Sequence, residues 1–210
     1  MVCERSIRHP HRARHRCAGV RSGPVTCLAD AAMSLSDFEW PKTLYPLFNE
    51  AKGYLRKVGT VLDIGPGIRP QPLVRAERYV GLESHHEYVS ILHSRGLDVK
   101  QGAAPQALKE MDPVDTIVML DVIEHLERED GEETIRLALE HAREQVVVFT
   151  PLGFMKQDGG KDKDPWGLQG QQWQTHRSGW MPEDFPGWLV LVDRNFHGSR
   201  KHGAFFAIHG

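Results

Sequence analysis

The sequence predicts an α/β fold built on a mostly parallel sheet with an antiparallel end. Apolar runs typical of buried strands alternate along the chain with stretches of helical spacing, as in right-handed βαβ units. The runs at 115–120 and 145–150 are largely apolar, as expected for strands covered on both faces. The last two runs, 188–192 and 204–208, lie close together in the chain and predict an antiparallel hairpin.

The spacing of apolar side chains places the other elements. Further strands are expected at 61–64, 78–82 and 97–100, and a helix at 87–94. An amphipathic helix of about four turns is predicted from Thr43, with Pro46 in its first turn and an apolar face formed by Leu44, Leu47, Phe48, Ala51, Leu55 and Val58. A later helix has its predicted buried face at Ile135, Ala138, Leu139 and Ala142.

Composition excludes several classes of protein. The chain has 210 residues, of which 40% are hydrophobic, with 20 Gly besides, so one globular domain is expected rather than a mostly disordered chain. No apolar run approaches the roughly 18 residues that a membrane span requires. The formal net charge of −2 gives no reason to expect a general nucleic-acid binder.

The first 33 residues differ from the rest. They contain six Arg against one Glu and one Asp, and all three Cys, so the body has neither a disulfide framework nor a thiol nucleophile. We expect residues 1–33 to be a basic, disordered extension and 34–210 to be the folded domain. The extension lacks the apolar region of a secretory signal. A cytoplasmic protein is expected, and two interpretations stay open: an organelle transit peptide, or an upstream extension with Met33 as the working start.

The strongest chemical signal lies between Asp63 and Glu83. The run V-L-D-I-G-P-G (61–67) is a strand that leads into a loop, and Gly65 and Gly67 allow close backbone approach to a ligand. Asp63 is placed to accept from a cationic amine or to orient the loop. Glu83, at the end of the next strand, can accept both hydroxyls of a ribose. Pro70 replaces the third glycine of a dinucleotide fingerprint, which favours a nucleoside without phosphates.

These residues resemble a known family. V-L-D-I-G-P-G (61–67), Glu83, V-D-T-I-V-M-L-D (114–121) and Q-V-V-V-F-T-P (145–151) resemble class I S-adenosylmethionine-dependent methyltransferases, in the expected order over 60–209. The resemblance implies a Rossmann-like, seven-stranded, mostly parallel sheet with an antiparallel last strand, in three α/β/α layers, and S-adenosylmethionine as cofactor. It further implies methionine contacts by Asp63, Gly65 and Gly67, a ribose contact by Glu83, and Asp121 on the floor beside the transferred methyl group.

Two departures from that family concern the adenine contact and the helix that follows the glycine loop. Many members bind the adenine amine with an Asp or Asn after the third strand, whereas this region is Q-G-A-A (101–104). The backbone of Gly102 and Ala103, or the side chain of Gln101, would have to replace it. The link between the glycine loop and the second strand is short, so the helix expected within this link should be stunted.

A second constellation follows the fourth strand. Asp121, Glu124 and His125 bring three titratable groups into five residues, and an imidazole suits a general base at neutral pH. We take three residues as candidate catalytic groups: Asp121, His125, and His176 from the later loop 153–180. The segment also resembles the E-x-x-E-H stretch of ubiquinone-pathway O-methyltransferases and of small-RNA 3′-end 2′-O-methyltransferases, in which carboxylates and His hold a divalent ion.

That second resemblance implies Glu124, His125 and His176 as metal ligands. His176, in W-Q-T-H-R-S-G-W (173–180), stands where the RNA group has a further His, while Asp121 is one methylene shorter than that group's first acid. Three interpretations stay open for this cluster: a general base, a divalent metal site, or side chains that only start the next helix and form local hydrogen bonds.

The loop 153–180 carries Trp166, Trp173 and Trp180 among amide and charged side chains. Aromatic faces with polar edges suit sugars and other polyhydroxylated rings, although the tryptophans can equally serve to anchor the loop. T-P-L-G-F (150–154), together with W-Q-T-H-R-S-G-W, resembles bacterial methyltransferases of uncharacterised or surface-glycan type.

The sequence thus predicts methyl transfer from S-adenosylmethionine, most simply to an oxygen of a small polar or glycan-like acceptor. One alternative is a divalent-metal-dependent RNA 2′-O- or catechol-type O-methyltransferase. Another is a methyltransferase-fold protein that binds without catalysis. Neither a nucleic acid nor a membrane is expected as a partner, and the oligomeric state stays open.

Overall fold

The computed structural model describes residues 46–157, 164–198 and 202–210. The predicted extension 1–33, its boundary at residue 34, and the first residues of the predicted amphipathic helix lie outside these ranges. Among the described residues, no helix combines the length and the apolar character needed to cross a bilayer.

The described residues form seven strands and three α-helices. In chain order these are α1 (Pro46–Lys52), β1 (Val58–Ile64), β2 (Ala76–Glu83), α2 (His86–Ser94), β3 (Val99–Gln101), β4 (Val114–Leu120), α3 (Arg128–His141), β5 (Ala142–Pro151), β6 (Leu189–His197) and β7 (His202–His209). Short 3-10 turns at Ala107–Glu110, Ile123–His125, Gln171–Trp173 and Pro182–Asp184 complete the secondary structure.

The strands form one sheet in the order β3-β2-β1-β4-β5-β7-β6. The pairs from β3 to β5 are parallel, and β7 runs antiparallel to both β5 and β6. The predicted parallel sheet with an antiparallel terminal hairpin is therefore confirmed. Because parallel strands share one carboxyl edge, the loops after β1, β2, β3, β4 and β5 meet at that edge.

Two apolar clusters cover the two faces of the sheet. Side chains of α1 and α2, including Phe48 and Leu92, pack on one face. Side chains of α3 and the 107–110 turn, including Leu137 and Leu108, pack on the other. This gives the expected three layers, and the central strands are apolar because both of their faces are covered.

The predicted first helix is wrong at its C-terminal end. The helix stops at Lys52, and Val58, which was assigned to its apolar face, begins β1 instead. The N–H of Gly53 bonds to the carbonyl of Glu50, at 2.9 Å, in a tight turn. Glycine is a poor helix residue, and the chain leaves the helix there. Leu47, Phe48 and Ala51 are buried as predicted.

The buried face of α3 also differs from the prediction. Its buried residues are Gly131, Thr134, Leu137 and Ala138, whereas Leu139 is 38% exposed and Ala142 belongs to β5. Gly131 and Thr134 are not large apolar residues, so apolar spacing alone does not mark them. Ala138 is buried as predicted, and Ile135 packs against the core. The stunted connection after the glycine loop is confirmed, because residues 65–75, all described, contain no helix.

Candidate functional site

A cavity of about 950 Å³ opens at the carboxyl edge of the parallel strands. Its volume lies at the upper end of the range for small-molecule sites. Its lining includes every site residue predicted from the sequence, namely Asp63, Gly65, Gly67, Glu83, Gly102, Ala103, Asp121, Glu124, His125 and His176. Gln101, the alternative adenine contact, is not among the lining residues.

The glycine loop after β1 has positive φ angles, which glycine adopts at little cost. Gly65 and Gly67 have φ angles of +66° and +58°, in the left-handed region that is costly for other residues. A Cβ on Gly67 would have no heavy atom within 4 Å, so it would project into open space. A Cβ on Gly65 would lie 2.9 Å from Cγ2 of Val122, and both of these residues face the cavity.

Glu83 ends β2 and is only 3% exposed. Its Oε2 accepts a hydrogen bond from the N–H of Gly67 at 3.0 Å, and its Oε1 accepts from the N–H of His85 at 2.9 Å. Oε1 also accepts from the hydroxyl of Ser84 at 3.3 Å. Oε2 keeps a second lone pair, and the side chain lines the cavity. Glu83 therefore shapes the glycine loop and can still accept hydroxyl groups.

Asp63, on β1, is also 3% exposed, and its Oδ2 accepts a hydrogen bond from the hydroxyl of Tyr79 at 2.9 Å. Burial raises the pKa of Asp63 to about 7, against the lowering effect of the Tyr79 hydrogen bond, and the charge of Glu83 adds to the rise. Tyr79 was not singled out in the sequence. Only the strand register, which pairs Asp63 with Gly81, places Tyr79 diagonally beside it.

Asp121 follows β4 with a φ of +54°, which is strained for a residue with a side chain. Its N–H donates to the carbonyl of Phe149 at 2.9 Å, and this bond holds the turn. The side chain opens onto the cavity, yet the surrounding protein raises the pKa of Asp121 by burial, opposed by a hydrogen bond with Glu124. Such outliers cluster at functional sites.

Glu124 is almost fully buried, with 2% exposed. Its Oε2 accepts a hydrogen bond from the hydroxyl of Thr150 at 2.9 Å. Its Oε1 has no N–H or O–H donor among the described residues. Burial and the neighbouring Asp121 charge raise the pKa of Glu124 well above its usual value. Two carboxyl groups in contact must share a proton or a cation.

The rings of His125 and His176 meet edge to face at the cavity, with centroids 4.8 Å apart. Nδ1 of His125 is 3.2 Å from the carbonyl oxygen of Thr175, and Nδ1 of His176 is 2.6 Å from that of Met155. A carbonyl can only accept, so these bonds place the proton on Nδ1 and the lone pair on Nε2 of each neutral ring. Burial lowers the pKa of His125 to about 4, with a further contribution from His176.

Together, Glu124, His125 and His176 form a cluster with metal-ligand chemistry. One potential ligand atom from each lies within 4.8 Å of the others. Ligands bound at about 2.1 Å lie up to roughly 4.2 Å apart across an ion, so small side-chain adjustments would suffice. Metal-bound His usually donates its other ring N–H to a carbonyl or carboxylate, which is the arrangement of both rings here.

The loop after β5 contributes aromatic side chains, but not all three that the sequence suggested. Trp166 and Trp173 line the cavity. Trp180 is only 1% exposed, with the guanidinium of Arg128 over its ring at 3.9 Å, and it anchors the loop. From this loop, Gln157 and Gln174 add amide groups to the lining, whereas Asp158 lies outside the described residues.

Two side chains at this loop were not recognised in the sequence. Tyr88 of α2 lines the cavity and donates a hydrogen bond from its hydroxyl to Asp164. The two residues are 76 positions apart in sequence. No local pattern signals a pairing over such a separation.

No family model matches the sequence, and no curated protein is similar to it at a significant level. Many solved structures are similar to the fold. A methyltransferase from Archaeoglobus fulgidus, described as S-adenosylmethionine-dependent, is 13% identical with a TM-score of 0.51, over 77% of this chain and 91% of that one.

Two further similar structures were solved with S-adenosylmethionine. The amino pentose methyltransferase CalS10 of Micromonospora echinaspora is 12% identical with a TM-score of 0.50, over 81% of this chain and 93% of that one. Phosphoethanolamine N-methyltransferase 2 of Haemonchus contortus is 12% identical with a TM-score of 0.51, over 77% of this chain and 50% of that one.

The sheet order, the antiparallel β7 and these similarities agree with one another. At sequence identities of 12–13%, the similarities concern the architecture alone. The chain therefore has the fold of class I S-adenosylmethionine-dependent methyltransferases.

Proposed function

We propose that this protein is an enzyme that transfers a methyl group from S-adenosylmethionine to an oxygen of a small polar or glycan-like acceptor. The observation that carries the proposal is a single cavity with two chemically different ends. One end has the glycine loop and Glu83, and the other has Asp121, Glu124 and the two facing histidines. A nucleoside donor fits the first end, and an acceptor hydroxyl fits the second.

The donor end is suited to a nucleoside without phosphates. Gly67 offers open backbone beside the cavity, and Glu83 offers carboxylate lone pairs for the ribose hydroxyls. Asp63 can balance a cationic amine or sulfonium. Gly102 and Ala103 line the cavity after β3, where they can present backbone groups to the adenine.

When bound, the donor would supply an electrophilic methyl group on a sulfonium. The protein's task is then to hold the acceptor oxygen in line and to exclude water. The two carboxyl groups and two imidazoles at the other end would bind the acceptor and take up its proton. Burial lowers the pKa of His125 to about 4, which makes it a weak general base at neutral pH. His125 and His176 are both candidate bases if no metal takes part.

The lining of the cavity supports a small polar acceptor. Two tryptophan rings, Trp166 and Trp173, combine with the amides of Gln157 and Gln174, a pairing that suits polyhydroxylated rings. Among the described lining residues, acidic side chains outnumber basic ones: Asp63, Glu83, Asp121, Glu124, Glu127 and Asp130 against Arg69 and Arg177. A nucleic-acid backbone requires the opposite balance.

The first test is calorimetry of the full chain with S-adenosylhomocysteine. We expect binding, and no binding at millimolar concentration would reject the proposed donor. The second test is incubation with radiolabelled S-adenosylmethionine and fractionated cell extract, followed by identification of the labelled molecule. Binding without label in any fraction would favour the third interpretation, a methyltransferase-fold protein that binds without catalysis.

A divalent-metal-dependent O-methyltransferase is the second candidate, and one observation favours it. Oε1 of Glu124 is buried without a donor among the described residues, beside two imidazoles whose Nδ1 atoms face carbonyl oxygens. Glu124, His125 and His176 would hold the ion, which would supply a Lewis acid for acceptor hydroxyls. Thr150 orients Glu124, while the Thr175 and Met155 carbonyls fix the two rings.

Metal binding can be tested directly, without an activity assay. Titration of the apo-protein with Co²⁺, followed by visible absorption, should show one saturable site in the wild type. Activity that survives exhaustive chelation would remove the metal from the mechanism. Catechol and RNA substrates bearing a free 3′-terminal 2′-hydroxyl, offered beside the extract fractions, would then separate the two acceptor classes that the sequence left open.

A further inference from the structure

The backbone of segment 164–170 forms a turn whose N–H groups bond to one carboxylate, that of Asp164. Oδ1 of Asp164 accepts hydrogen bonds from the N–H groups of Trp166 and Leu168, at 3.0 and 2.7 Å. Its Oδ2 accepts from the N–H of Gly170 at 3.0 Å. Although burial alone would raise it, these bonds and the Tyr88 hydroxyl hold the pKa of Asp164 below its usual value. Asp164 is therefore an ionised acceptor that organises this turn.

The turn is docked on the start of α2. The hydroxyl of Tyr88 donates to Oδ2 of Asp164, and Nε2 of His85 bonds to the carbonyl oxygen of Leu168 at 2.7 Å. The rings of Tyr88 and Trp166 meet edge-on, with centroids 5.4 Å apart. The docking surface is therefore both polar and aromatic.

Gly170 shows how closely the turn and α2 fit together. A Cβ on Gly170 would overlap the Tyr88 hydroxyl and lie 2.7 Å from Oδ2 of Asp164. Only glycine fits between these two groups, so a methyl group at this position would push the turn away from α2 without removing any hydrogen-bonding side chain.

The docked turn stands beside the nucleoside end of the cavity. Tyr88 and Trp166 share its lining with Glu83 and Ser84, and the pKa of Tyr88 is raised by burial, then by Asp164, and in part by the charge of Glu83. The turn belongs to the loop that leaves β5, three strand positions away from β2. The loop's described residues 164–178 run from α2, after β2, to Glu124, after β4. At about 4.8 Å per strand, these two strand positions span roughly 10 Å of the cavity mouth.

The same loop is fastened at the other end of the cavity. The carbonyl oxygen of Glu124 accepts from the N–H groups of Arg177 and Ser178, at 2.7 and 3.1 Å, and His176 faces His125 there. One loop thus carries a wall of the donor end and a member of the acceptor cluster. Described residues of the same loop therefore bound both ends of the cavity.

We infer, on the basis of the proposed function, that the 164–170 turn covers the nucleoside end of the donor and that Asp164 is the positioning residue that holds the cover closed. Trp166 and Tyr88 form the cover's contact surface beside the ribose carboxylate Glu83. The donor product leaves when the Asp164–Tyr88 attachment opens, so this attachment sets the residence time of the bound nucleoside.

The inference is tested by the dissociation rate of S-adenosylhomocysteine, measured by stopped-flow displacement with excess unlabelled ligand. Tyr88→Phe removes one hydrogen bond to Asp164. Gly170→Ala places a methyl group against Tyr88 and Asp164 and should displace the turn from α2. We expect each to speed dissociation by about tenfold, the equivalent of one net hydrogen bond. Tyr54→Phe, a change at a 49% exposed tyrosine outside the cavity lining, should leave the rate unchanged.

Hydrogen exchange separates a cover from a merely structural turn. In the wild type, S-adenosylhomocysteine should slow exchange at the amides of Trp166, Leu168 and Gly170 by at least about tenfold, and Tyr88→Phe should reduce that protection. Variants that melt earlier yet release the ligand at the wild-type rate would overturn the inference. Wild-type binding with unchanged amide exchange would also overturn it, whereas a wild type that binds no ligand would instead overturn the proposed function.

Discussion

The N–H of Gly67 donates a hydrogen bond to Oε2 of Glu83, with N and O 3.0 Å apart. The residue expected to bind the ribose thus also holds the loop expected to bind the methionine moiety. The two halves of the proposed donor site are therefore joined before any ligand arrives, which reduces the ordering that binding must impose.

Glu83→Ala should weaken S-adenosylhomocysteine binding by roughly 1–3 kcal/mol, the cost of leaving buried hydroxyl groups without acceptors. Calorimetry measures the change. Glu83→Gln keeps one acceptor oxygen and should lose less. Unchanged affinity in Glu83→Ala would show that the ribose does not bind at this carboxylate.

Gly67→Ala should abolish donor binding while lowering stability only modestly. The φ of +58° costs an L-residue about 1–2 kcal/mol, and the new Cβ would project into the cavity. Thermal unfolding and calorimetry with S-adenosylhomocysteine measure the two effects separately.

Gly187→Ala is the matched control for that change. Gly187 has a φ of +83°, and a Cβ there would also meet no heavy atom within 4 Å, but the residue does not line the cavity. We expect a similar loss of stability with normal binding. Equal binding losses in both variants would indicate a global effect rather than a blocked site.

Asp63→Asn should stabilise the protein at alkaline pH. Burial raises the pKa of Asp63 from 3.8 to about 7, so the folded state binds this proton more tightly than the unfolded state does. The contribution of Asp63 to the free energy of unfolding is therefore full below about pH 4 and is lost as the pH rises through 7. The Asn variant should gain on the order of 2–4 kcal/mol at pH 8.

Denaturant unfolding at pH 4 and pH 8 measures this effect. At pH 4 the wild type and Asp63→Asn should be similar, because the wild-type carboxyl is then largely protonated. Tyr79→Phe removes the hydrogen bond that lowers the pKa of Asp63, and it should steepen the loss of stability between those pH values. A wild-type stability independent of pH over this range would contradict the raised pKa.

Glu124→Gln and His125→Ala should each weaken Co²⁺ binding by more than about tenfold, since each removes one ligand of a three-residue cluster. The readout is the visible absorption titration of the full chain. His86→Ala, at an exposed histidine paired with Glu87, is the control and should bind Co²⁺ normally. Equal binding in all three variants would leave the cluster without a metal role.

Most of the architecture follows from local patterns in the sequence. Apolar runs at strand period and helical spacing are properties of neighbouring residues, so the strands, α2 and the terminal hairpin were predictable. The C-terminal end of the first helix was not, because continuing apolar spacing through Leu55 and Val58 concealed the turn at Gly53 that ends it. The buried face of α3 was only partly predicted, because it includes Gly131 and Thr134, which an apolar pattern does not mark.

The sequence by itself determined which residues reach the carboxyl edge of the sheet, since a parallel strand delivers the residue that follows it to that edge. Asp63, Glu83, Asp121 and Glu124 were identified in this way. Only the tertiary structure decided how those residues are paired and charged. The contacts of Asp63 with Tyr79, of His125 with His176 and of Asp164 with Tyr88 depend on strand register and on a loop crossing the mouth of the cavity. Burial then sets the pKa values, because desolvation depends on the whole surrounding protein rather than on neighbours in the chain.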